Sequence, residues 1–375
     1  MNLADRLQTT DVVCAGGGPA GLAAAIALRL RGLHVVLADA SVPPVDKACG
    51  EGLMPDGVAA LRALGVFPER HDHAIFRGIR FVGPQGSAEA HFPSGHGIGM
   101  RRTVLHEALR RRAEEIGVEM RWGARLTGIA PGTALVNHEA IETKWIVGAD
   151  GQNSRIRGWS GLSRTSRKSF RIGMRRHFRV ECWTDLVEVH WGNSGQVYVT
   201  PVAGDEICVA VISRNRRKDF DGLVRECPQL ARNLRNALPL DEVRGSATAT
   251  LNLRSVVTKD VALIGEASGS VDAVTGEGMT LAFRQAVKLS EAIAANDLRR
   301  YGAAHRQIGR LPNLLGSAML LMDRSPGFRS RALNALSKNP AIFERLLVIH
   351  LGELSPFDFG MSKLATLGWR LLTVR

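Results

Sequence analysis

Glycines spaced as Gly16-x-Gly18-x-x-Gly21 lie between a short apolar run and an alanine-rich segment near the start of the chain. Such glycines permit a tight turn, let a pyrophosphate approach the backbone, and let a helix pack closely on a strand. The start of that helix offers free N–H groups and the positive end of its dipole to phosphates. Asp39 ends the next apolar run, residues 33–38, where its carboxylate can accept hydrogen bonds from a ribose. This order of elements predicts a dinucleotide site.

Two later segments also bring an apolar run to an acid beside a glycine. Residues 145–149 lead into Asp150-Gly151, and residues 261–264 lead into Gly265-Glu266. The loop Thr275-Gly276-Glu277-Gly278 then opens a helical segment. An acid at a strand end accepts hydrogen bonds from sugar-type hydroxyls, and a helix start stabilises nearby negative charge by about 0.5–2 kcal/mol.

These three segments, in this order, resemble the flavoprotein monooxygenase superfamily, which includes FAD-dependent aromatic hydroxylases, halogenases and a geranylgeranyl reductase-like branch. The resemblance covers about residues 10–300. It implies an α/β fold with a Rossmann-like FAD-binding domain, an interleaved antiparallel β-sheet substrate domain and C-terminal helices. The implied FAD-binding parts are 1–75, 101–165 and 256–300, the substrate-domain parts are 76–100 and 166–255, and the helical region is 301–375.

The resemblance also implies non-covalent FAD, NAD(P)H as the electron donor, and a set of FAD-binding residues. The glycines would hold the pyrophosphate, Asp39 the adenosine ribose, and Gly265-Glu266 the ribityl chain. Arg102 stands in Arg-x-x-Leu at a helix start, and Asp150 matches an acid between the FAD and nicotinamide regions. The complete set is Gly16, Gly18, Pro19, Ala20, Gly21, Asp39, Ala40, Arg102, Asp150, Gly265, Glu266, Gly276, Gly278 and Met279.

The sequence departs from the family's pattern at two points. Glu266 stands where the family has Asp, so its carboxylate lies one methylene further out. The Trp-x-Trp motif of halogenases is absent, and Trp183 and Trp191 have the wrong spacing. Halogenation is therefore disfavoured.

The loop Lys47-Ala48-Cys49-Gly50-Glu51-Gly52-Leu53 resembles the reductase branch, where a Cys-Gly pair follows the second strand. Cys49 and Glu51 are candidate catalytic residues near the isoalloxazine edge. The favoured alternative is that Gly50 and Gly52 only clear space for the flavin. His96 and His106 are expected to be structural, and Tyr198 either lines the pocket or packs in a strand.

Composition limits the other partners. The formal net charge of +13 suits anionic cofactors or an acidic surface, but the basic runs lack a nucleic-acid motif. The five cysteines have neither metal-ligand nor disulfide spacing, so no metal is expected and a cytoplasmic location fits best. No apolar run reaches the roughly 18–20 residues that span a bilayer. Contact with a membrane surface and the oligomeric state stay open.

Residues 170–213 alternate like an antiparallel sheet that forms a wall of the substrate domain. Helices are predicted over 221–238 and 280–296, and after Tyr301 with breaks at Pro312, Pro326, Pro340 and Pro356. We expect these C-terminal helices to cover the pocket.

The leading interpretation is an NAD(P)H-dependent monooxygenase that oxygenates a small apolar or phenolic substrate through a flavin hydroperoxide. The first alternative is a reductase that saturates carbon–carbon double bonds of a prenyl or polyketide substrate. The second is a flavoprotein maturation partner of another protein.

Overall fold

The computed structural model describes residues 8–84, 86–163, 165–270, 273–352 and 354, with the backbone only for residues 165–169. The expected α/β class is confirmed, because the described residues form both helices and two large sheets. The strands are β1 (Gln8–Ala15), β2 (Val35–Asp39), β3 (Gly52–Leu53), β4 (Ala74–Phe76), β5 (Gly78–Gly83), β6 (Gly86–His91), β7 (Gly97–Gly99), β8 (Glu119–Trp122), β9 (Leu126–Ala130), β10 (Thr133–Val136), β11 (Glu139–Gly148), β12 (Thr165–Arg179), β13 (Val187–Trp191), β14 (Gly195–Ala203), β15 (Glu206–Ser213), β16 (Leu238–Pro239), β17 (Arg244–Leu253) and β18 (Val261–Leu263). The helices are α1 (Pro19–Arg29), α2 (Pro55–Ala63), α3 (Arg102–Glu115), α4 (Arg155–Trp159), α5 (Phe220–Val224), α6 (Pro228–Asn233), α7 (Gly278–Ala294), α8 (Leu298–Arg324), α9 (Pro326–Ser337) and α10 (Pro340–His350).

The first sheet is built around a parallel set of strands in the order β8-β2-β1-β11-β18. β10 pairs antiparallel with the amino-terminal half of β11, and β9 continues beyond it. The apolar runs of β1, β2 and β11 are buried together with α1 and α7 in one core. Burial on both faces explains why these strands read as continuous apolar runs in the sequence.

The second sheet has the order β16-β12-β15-β14-β13-β5-β6, with β17 also paired to β12. Its pairings are antiparallel except for β13 with β5. Along β15, Ile207, Val209 and Val211 pack against α5 and α6, whereas Cys208 and Ala210 face the opposite side. The alternation gives the sheet one structural face and one face available for a cavity.

The C-terminal helices pack against the strands of this sheet, with Leu333 and Phe343 among the buried contacts. The expected break at Pro312 is wrong, because α8 continues through it. Pro312 is buried, and burial of one face of α8 offsets the missing backbone hydrogen bond. Pro326 and Pro340 instead begin α9 and α10, where a missing N–H costs little. Pro356 lies outside the described residues.

A second difference concerns the helix expected over 221–238. The segment forms two short helices, α5 and α6, and ends in β16. Pro228 begins α6, and Cys227 before it has a non-helical backbone (φ −114°, ψ 82°), as expected for a residue that precedes proline, so the helix is interrupted there.

A buried ion pair fastens the end of α8 to the second sheet. Asp323 is fully buried. Its carboxylate accepts a hydrogen bond at 2.9 Å from Arg171 on β12 and forms an ion pair at 2.9 Å with Arg214 just after β15. Arg171 is also buried. Removing one partner of such a pair leaves a buried charge uncompensated, which costs about 3–5 kcal/mol.

We therefore expect Asp323→Ala to lower the free energy of unfolding by about 3–5 kcal/mol, measured by urea denaturation followed by circular dichroism. The matched control is Glu291→Ala, which removes an exposed pair with Lys288 and costs no more than about 1 kcal/mol. Equal losses in the two variants would contradict a stabilising role for Asp323.

Candidate functional site

The three predicted strand ends lie at one level of the parallel sheet. Ala15 at the end of β1 is level with Gly148 of β11, which is level with Leu263 of β18. Parallel strands place their carboxyl ends at the same edge, where open α/β sheets bind ligands. The loops are in close contact there: a Cβ on Gly16 would lie 2.4 Å from the Ala149 carbonyl oxygen, and one on Gly265 would lie 2.7 Å from Ala20 Cβ.

A cavity of about 1230 Å³ begins at this edge and extends along the second sheet to α8 and α10. Of the fourteen residues predicted to bind FAD, all except Gly21 line the cavity. Gly21 packs inside the fold, since a Cβ there would lie 1.8 Å from the Gly16 carbonyl oxygen. Gly18 faces open space, and no atom lies within 4 Å of a Cβ built on it.

Two cavity-lining side chains hold buried polar atoms that have no hydrogen-bond partner among the described residues. These atoms are Arg102 Nε and Asp150 Oδ1. The α1 helix begins beside them with Gly18 as its N-cap and no capping side chain, so its first N–H groups are free to bind phosphate. A cation, a carboxylate acceptor and free N–H groups are the set that phosphates and sugar hydroxyls require, and they fit FAD.

The side chains of Asp39 and His106 fix the backbone of the glycine loop by hydrogen bonds to Gly17. The Asp39 carboxylate accepts hydrogen bonds from Gly17 N and, at 2.7 Å, from Ser41 N. His106 Nε2 lies 2.8 Å from the Gly17 carbonyl oxygen, and burial lowers the pKa of this imidazole. A neutral His106 donates its Nε2–H to that carbonyl. His106 therefore orients the loop backbone and does not line the cavity.

Glu266 makes an ion pair that the sequence did not suggest. Its carboxylate lies 2.6 Å from Lys47 Nζ, and both half-exposed side chains line the cavity. The extra methylene of Glu relative to Asp lets the carboxylate reach across to the loop after β2. Lys47 and Glu266 thereby join the first and third motif regions.

Glu277, between the two loop glycines, is buried beneath the C-terminal helices. Its Oε1 lies 3.2 Å from His350 Nε2 at the end of α10. Burial, with a contribution from Asp56, raises the pKa of Glu277 to about 8, and burial lowers the pKa of His350 to about 4. Both shifts favour one neutral pair, a protonated carboxyl beside an unprotonated imidazole.

The two candidate catalytic residues both line the cavity. Cys49 has a free thiol that lies 3.4 Å from Glu51 N. Glu51 is buried at a backbone φ of 59°. Its Oε1 accepts a hydrogen bond from Arg102 N at 3.0 Å, and its Oε2 lies 2.7 Å from His177 Nε2. The loop is thus fixed by side-chain contacts as well as by its glycines.

Sequence reasoning missed the residues behind Glu51. His177 and Arg175 of β12 are buried, and Asp241 lies against both. The only sequence signal of Arg175 and His177 is their spacing of two along β12, a strand that contains many other polar and basic residues. That signal shows a shared face, but it does not show what the face contacts.

The fold and this cavity define an FAD-binding oxidoreductase. The chain matches the FAD binding domain family over residues 9–299 and belongs to that family. Membership in the flavoprotein monooxygenase superfamily, implied by the three motifs, is confirmed.

Several characterised proteins are similar to the chain. Menaquinone reductase of Mycobacterium tuberculosis is 26% identical over 368 residues, which cover 87% of this chain and 89% of the relative. Digeranylgeranylglycerophospholipid reductase 1 of Methanothermobacter thermautotrophicus is 26% identical over 81% of both chains. Rifampicin monooxygenase of Rhodococcus hoagii is 28% identical over 40% of this chain and 33% of its own.

Solved structures share the architecture. A flavoprotein/dehydrogenase from Cytophaga hutchinsonii superposes with a TM-score of 0.81 at 16% identity, covering 96% of both chains. At that identity the likeness concerns the fold alone. Among the described residues, no helix combines the length and apolar character needed to cross a membrane.

Gly18 offers a direct test of where FAD binds. Its extended backbone (φ −70°, ψ 176°) accepts a β-branched residue, and the added side chain of Gly18→Val would protrude into the cavity. We expect normal folding and FAD binding weakened at least tenfold, about 1.4 kcal/mol, in titrations of apoprotein followed by flavin fluorescence. Gly327→Val, at an open position away from the cavity, is the control and should bind FAD normally. Unchanged binding by Gly18→Val would place the pyrophosphate elsewhere.

The neutral Glu277 pair predicts a pH effect on stability. A carboxyl whose pKa is raised on folding retains a proton that the unfolded chain has lost, so the contribution of Glu277 to stability falls as pH rises from 4.5 to about 8. The lowered pKa of His350 acts in the opposite sense between about 4 and 6.5, so the effect of Glu277 is measured as a difference between two proteins that both keep His350. Glu277→Gln keeps a donor toward His350 and cannot ionise. Its free energy of unfolding should therefore decline less over this range than that of the unmodified protein, in urea titrations at several pH values. Parallel pH profiles for the two proteins would show that Glu277 is not protonated in the folded state.

Proposed function

We propose that this protein is a flavin-dependent reductase that saturates carbon–carbon double bonds in a prenyl chain, with NAD(P)H as the electron donor. The supporting observation is a single cavity that starts at the FAD-binding strand ends and continues as an apolar arm beneath the C-terminal helices. The sequence alone ranked oxygenation first. The cavity and the whole-length relatives together favour reduction.

The apolar arm lies between the second sheet and the C-terminal helices. Phe81, Val189 and Ile212 line it from the strands, and Met322 and Phe343 line it from the helices. An elongated hydrocarbon buries its surface in such an arm, which stabilises binding by about 25 cal/mol per Å² of apolar area removed from water. A small phenol would leave most of the arm unfilled.

The relatives that align over most of their length also favour reduction. Menaquinone and digeranylgeranylglycerophospholipid share long prenyl chains on polar head groups, and both named relatives are reductases that align over more than four fifths of this chain. The similarity to rifampicin monooxygenase is confined to 157 residues. Substrate specificity depends on the cavity walls, which only the longer alignments include.

Some residues of this chain would bind FAD, and others would surround the substrate. The free N–H groups at the start of α1 and the Arg102 guanidinium would hold the phosphates, and Gly265-Glu266 would face the ribityl chain. Asp150 Oδ1 would accept a hydrogen bond from a hydroxyl group of FAD. Reduced FAD supplies a hydride when it is bound. The helices that cover the cavity exclude water, and the Cys49-Gly50-Glu51 loop lies in the cavity wall where the acceptor double bond would need a proton.

Monooxygenation is the second candidate, because the aligned segment of rifampicin monooxygenase shows that oxygen-using relatives share part of this chain. Strict anaerobiosis separates the two reactions. With a prenylated naphthoquinone, an electron donor and no oxygen, we expect the prenyl chain to gain two hydrogens per reduced double bond, detected by mass spectrometry. A product that forms only in air and carries an added oxygen atom would overturn the reductase.

The length of the apolar arm should set chain-length preference. Ala210 lines the cavity on the face of β15 opposite the structural core, so Ala210→Trp fills part of the arm. We expect at least a tenfold rise in KM for a long prenyl substrate, about 1.4 kcal/mol, with a smaller effect on a short one. Equal flavin content in the two proteins is the control. An equal effect on both substrates would show that the chain does not occupy this arm.

A further inference from the structure

A chain of hydrogen-bonded side chains connects the cavity wall to the protein surface. Glu51 lines the cavity, and its Oε2 lies 2.7 Å from His177 Nε2. On the other side of the imidazole, His177 Nδ1 lies 2.7 Å from Asp241 Oδ2. The side chains of Glu51 and His177 are 1% and 2% exposed, whereas that of Asp241 is 29% exposed. The chain therefore begins at solvent and ends at the cavity.

The imidazole of His177 has a partner in each protonation state. A protonated Nδ1 donates to Asp241, and an unprotonated Nδ1 accepts from Arg175, whose NH1 lies 2.7 Å away. A protonated Nε2 donates to the Glu51 carboxylate, and an unprotonated Nε2 accepts from a protonated Glu51. Moving a proton along this chain thus leaves no buried nitrogen or oxygen without a hydrogen bond, which would otherwise cost about 1–3 kcal/mol.

The groups around the chain hold it in place. The carboxylate of Asp46 accepts two hydrogen bonds from Arg175 at 2.9 Å and forms an ion pair with Arg244 at 2.8 Å. Asp241 also accepts from His177 N. Burial acts to raise the pKa of Asp241, but these hydrogen bonds and the charges of His177 and Arg175 lower it, so Asp241 stays an acceptor. The charged and titratable groups that face Glu51 or its neighbours are Cys49, Arg102, Arg175, His177, Cys208, Asp46, Asp241 and Arg244.

A bound metal explains these side chains less well. Sγ of Cys208 lies within 4.8 Å of ligand atoms of Glu51 and His177. Burial and the Glu51 charge raise the pKa of Cys208 well above its usual range, so it is a thiol and donates to the Cys49 carbonyl at 3.5 Å. The Arg175 cation also lies against the imidazole. A fixed cation this close to the imidazole disfavours a divalent ion through like-charge repulsion.

We propose that Glu51, His177 and Asp241 form a proton relay that delivers a proton from solvent to the cavity. The inference rests on the proposed double-bond reduction. That reaction breaks one carbon–carbon π bond and forms two C–H bonds, one from a hydride and one from a proton. Glu51 gives up the proton and becomes a carboxylate, which accepts a hydrogen bond from Nε2–H of neutral His177. A solvent proton that arrives by way of Asp241 adds to Nδ1, and the Nε2 proton then passes to Glu51, which leaves His177 as its Nδ1–H tautomer. Return of the imidazole to the Nε2–H tautomer by proton exchange with solvent completes the cycle.

Glu51 is the catalytic residue of the relay, and His177 and Asp241 are positioning residues that act through it. We expect His177→Gln and Asp241→Asn to lower kcat for anaerobic double-bond reduction by about tenfold to hundredfold, and to change its pH profile and its solvent deuterium isotope effect. Reoxidation of the dithionite-reduced holoenzyme by ferricyanide delivers no proton to carbon. Its rate should stay within about twofold of the unmodified value.

The matched control is the buried pair His190–Glu188 on β13. The two side chains lie 2.9 Å apart, are 2% and 1% exposed, and do not line the cavity, although the intervening Val189 does. His190→Gln removes a buried histidine of the same kind from the other face of the sheet. If it changed the pH profile as much as His177→Gln, or if ferricyanide reoxidation fell with kcat in the relay variants, the effect would be structural and the relay would be rejected.

A readout on the apoprotein tests the relay apart from the reaction. In protein labelled at the histidine nitrogens and followed by NMR, the ring-nitrogen chemical shifts of His177 should change in Glu51→Gln and in Asp241→Asn, and should stay the same in His190→Gln. Unchanged chemical shifts in both relay variants overturn the proposal. Changed chemical shifts in a protein that reduces no prenyl double bond would support the hydrogen-bonded relay and reject the proposed function instead.

Discussion

The parallel register of β1, β11 and β18 is the constraint on which the site depends. It sets Ala15, Gly148 and Leu263 level with one another, so the loops that follow meet at one edge of the sheet. Each loop alone offers only a weak feature: a glycine turn, a lone carboxylate or a short bend. Their convergence combines phosphate-binding N–H groups with two unsatisfied buried polar atoms over the length of an extended dinucleotide.

The second sheet forms the cavity wall beyond the strand ends, and its cavity-facing side carries polar side chains in one part and apolar side chains in another. Across β12, β15 and β14, one row of neighbours is His177, Cys208 and Thr200, and these residues meet the Glu51 loop. Away from this row the same face continues with apolar side chains such as Val189 and Ile212, beneath the C-terminal helices. Titratable and apolar side chains are therefore separated along one surface.

How much of the structure could be predicted from the sequence depends on how far apart in the sequence the interacting residues lie. The positions of the three loops at one sheet edge were predictable, because glycine spacing, strand and helix are local signals within about thirty residues. The Glu51–His177 contact joins residues 126 positions apart, and His177 meets Asp241 across 64 positions. No periodicity encodes such contacts. Pro312 failed as a helix break for a related reason, since burial of α8 outweighs the local preference.

The difference between the cofactor-binding loops and the cavity walls explains why one fold serves both oxygenases and reductases. The strand ends bind the cofactor, and their chemistry leaves the reaction undetermined. The outcome depends on what the walls admit and on where a proton is available. In this chain the wall opposite the strand ends contains a long apolar arm, and the Glu51 loop is connected to solvent through a partly exposed Asp241. A hydride acceptor held there has a proton source within the wall, whereas oxygen insertion into a small substrate has no use for the length of the arm.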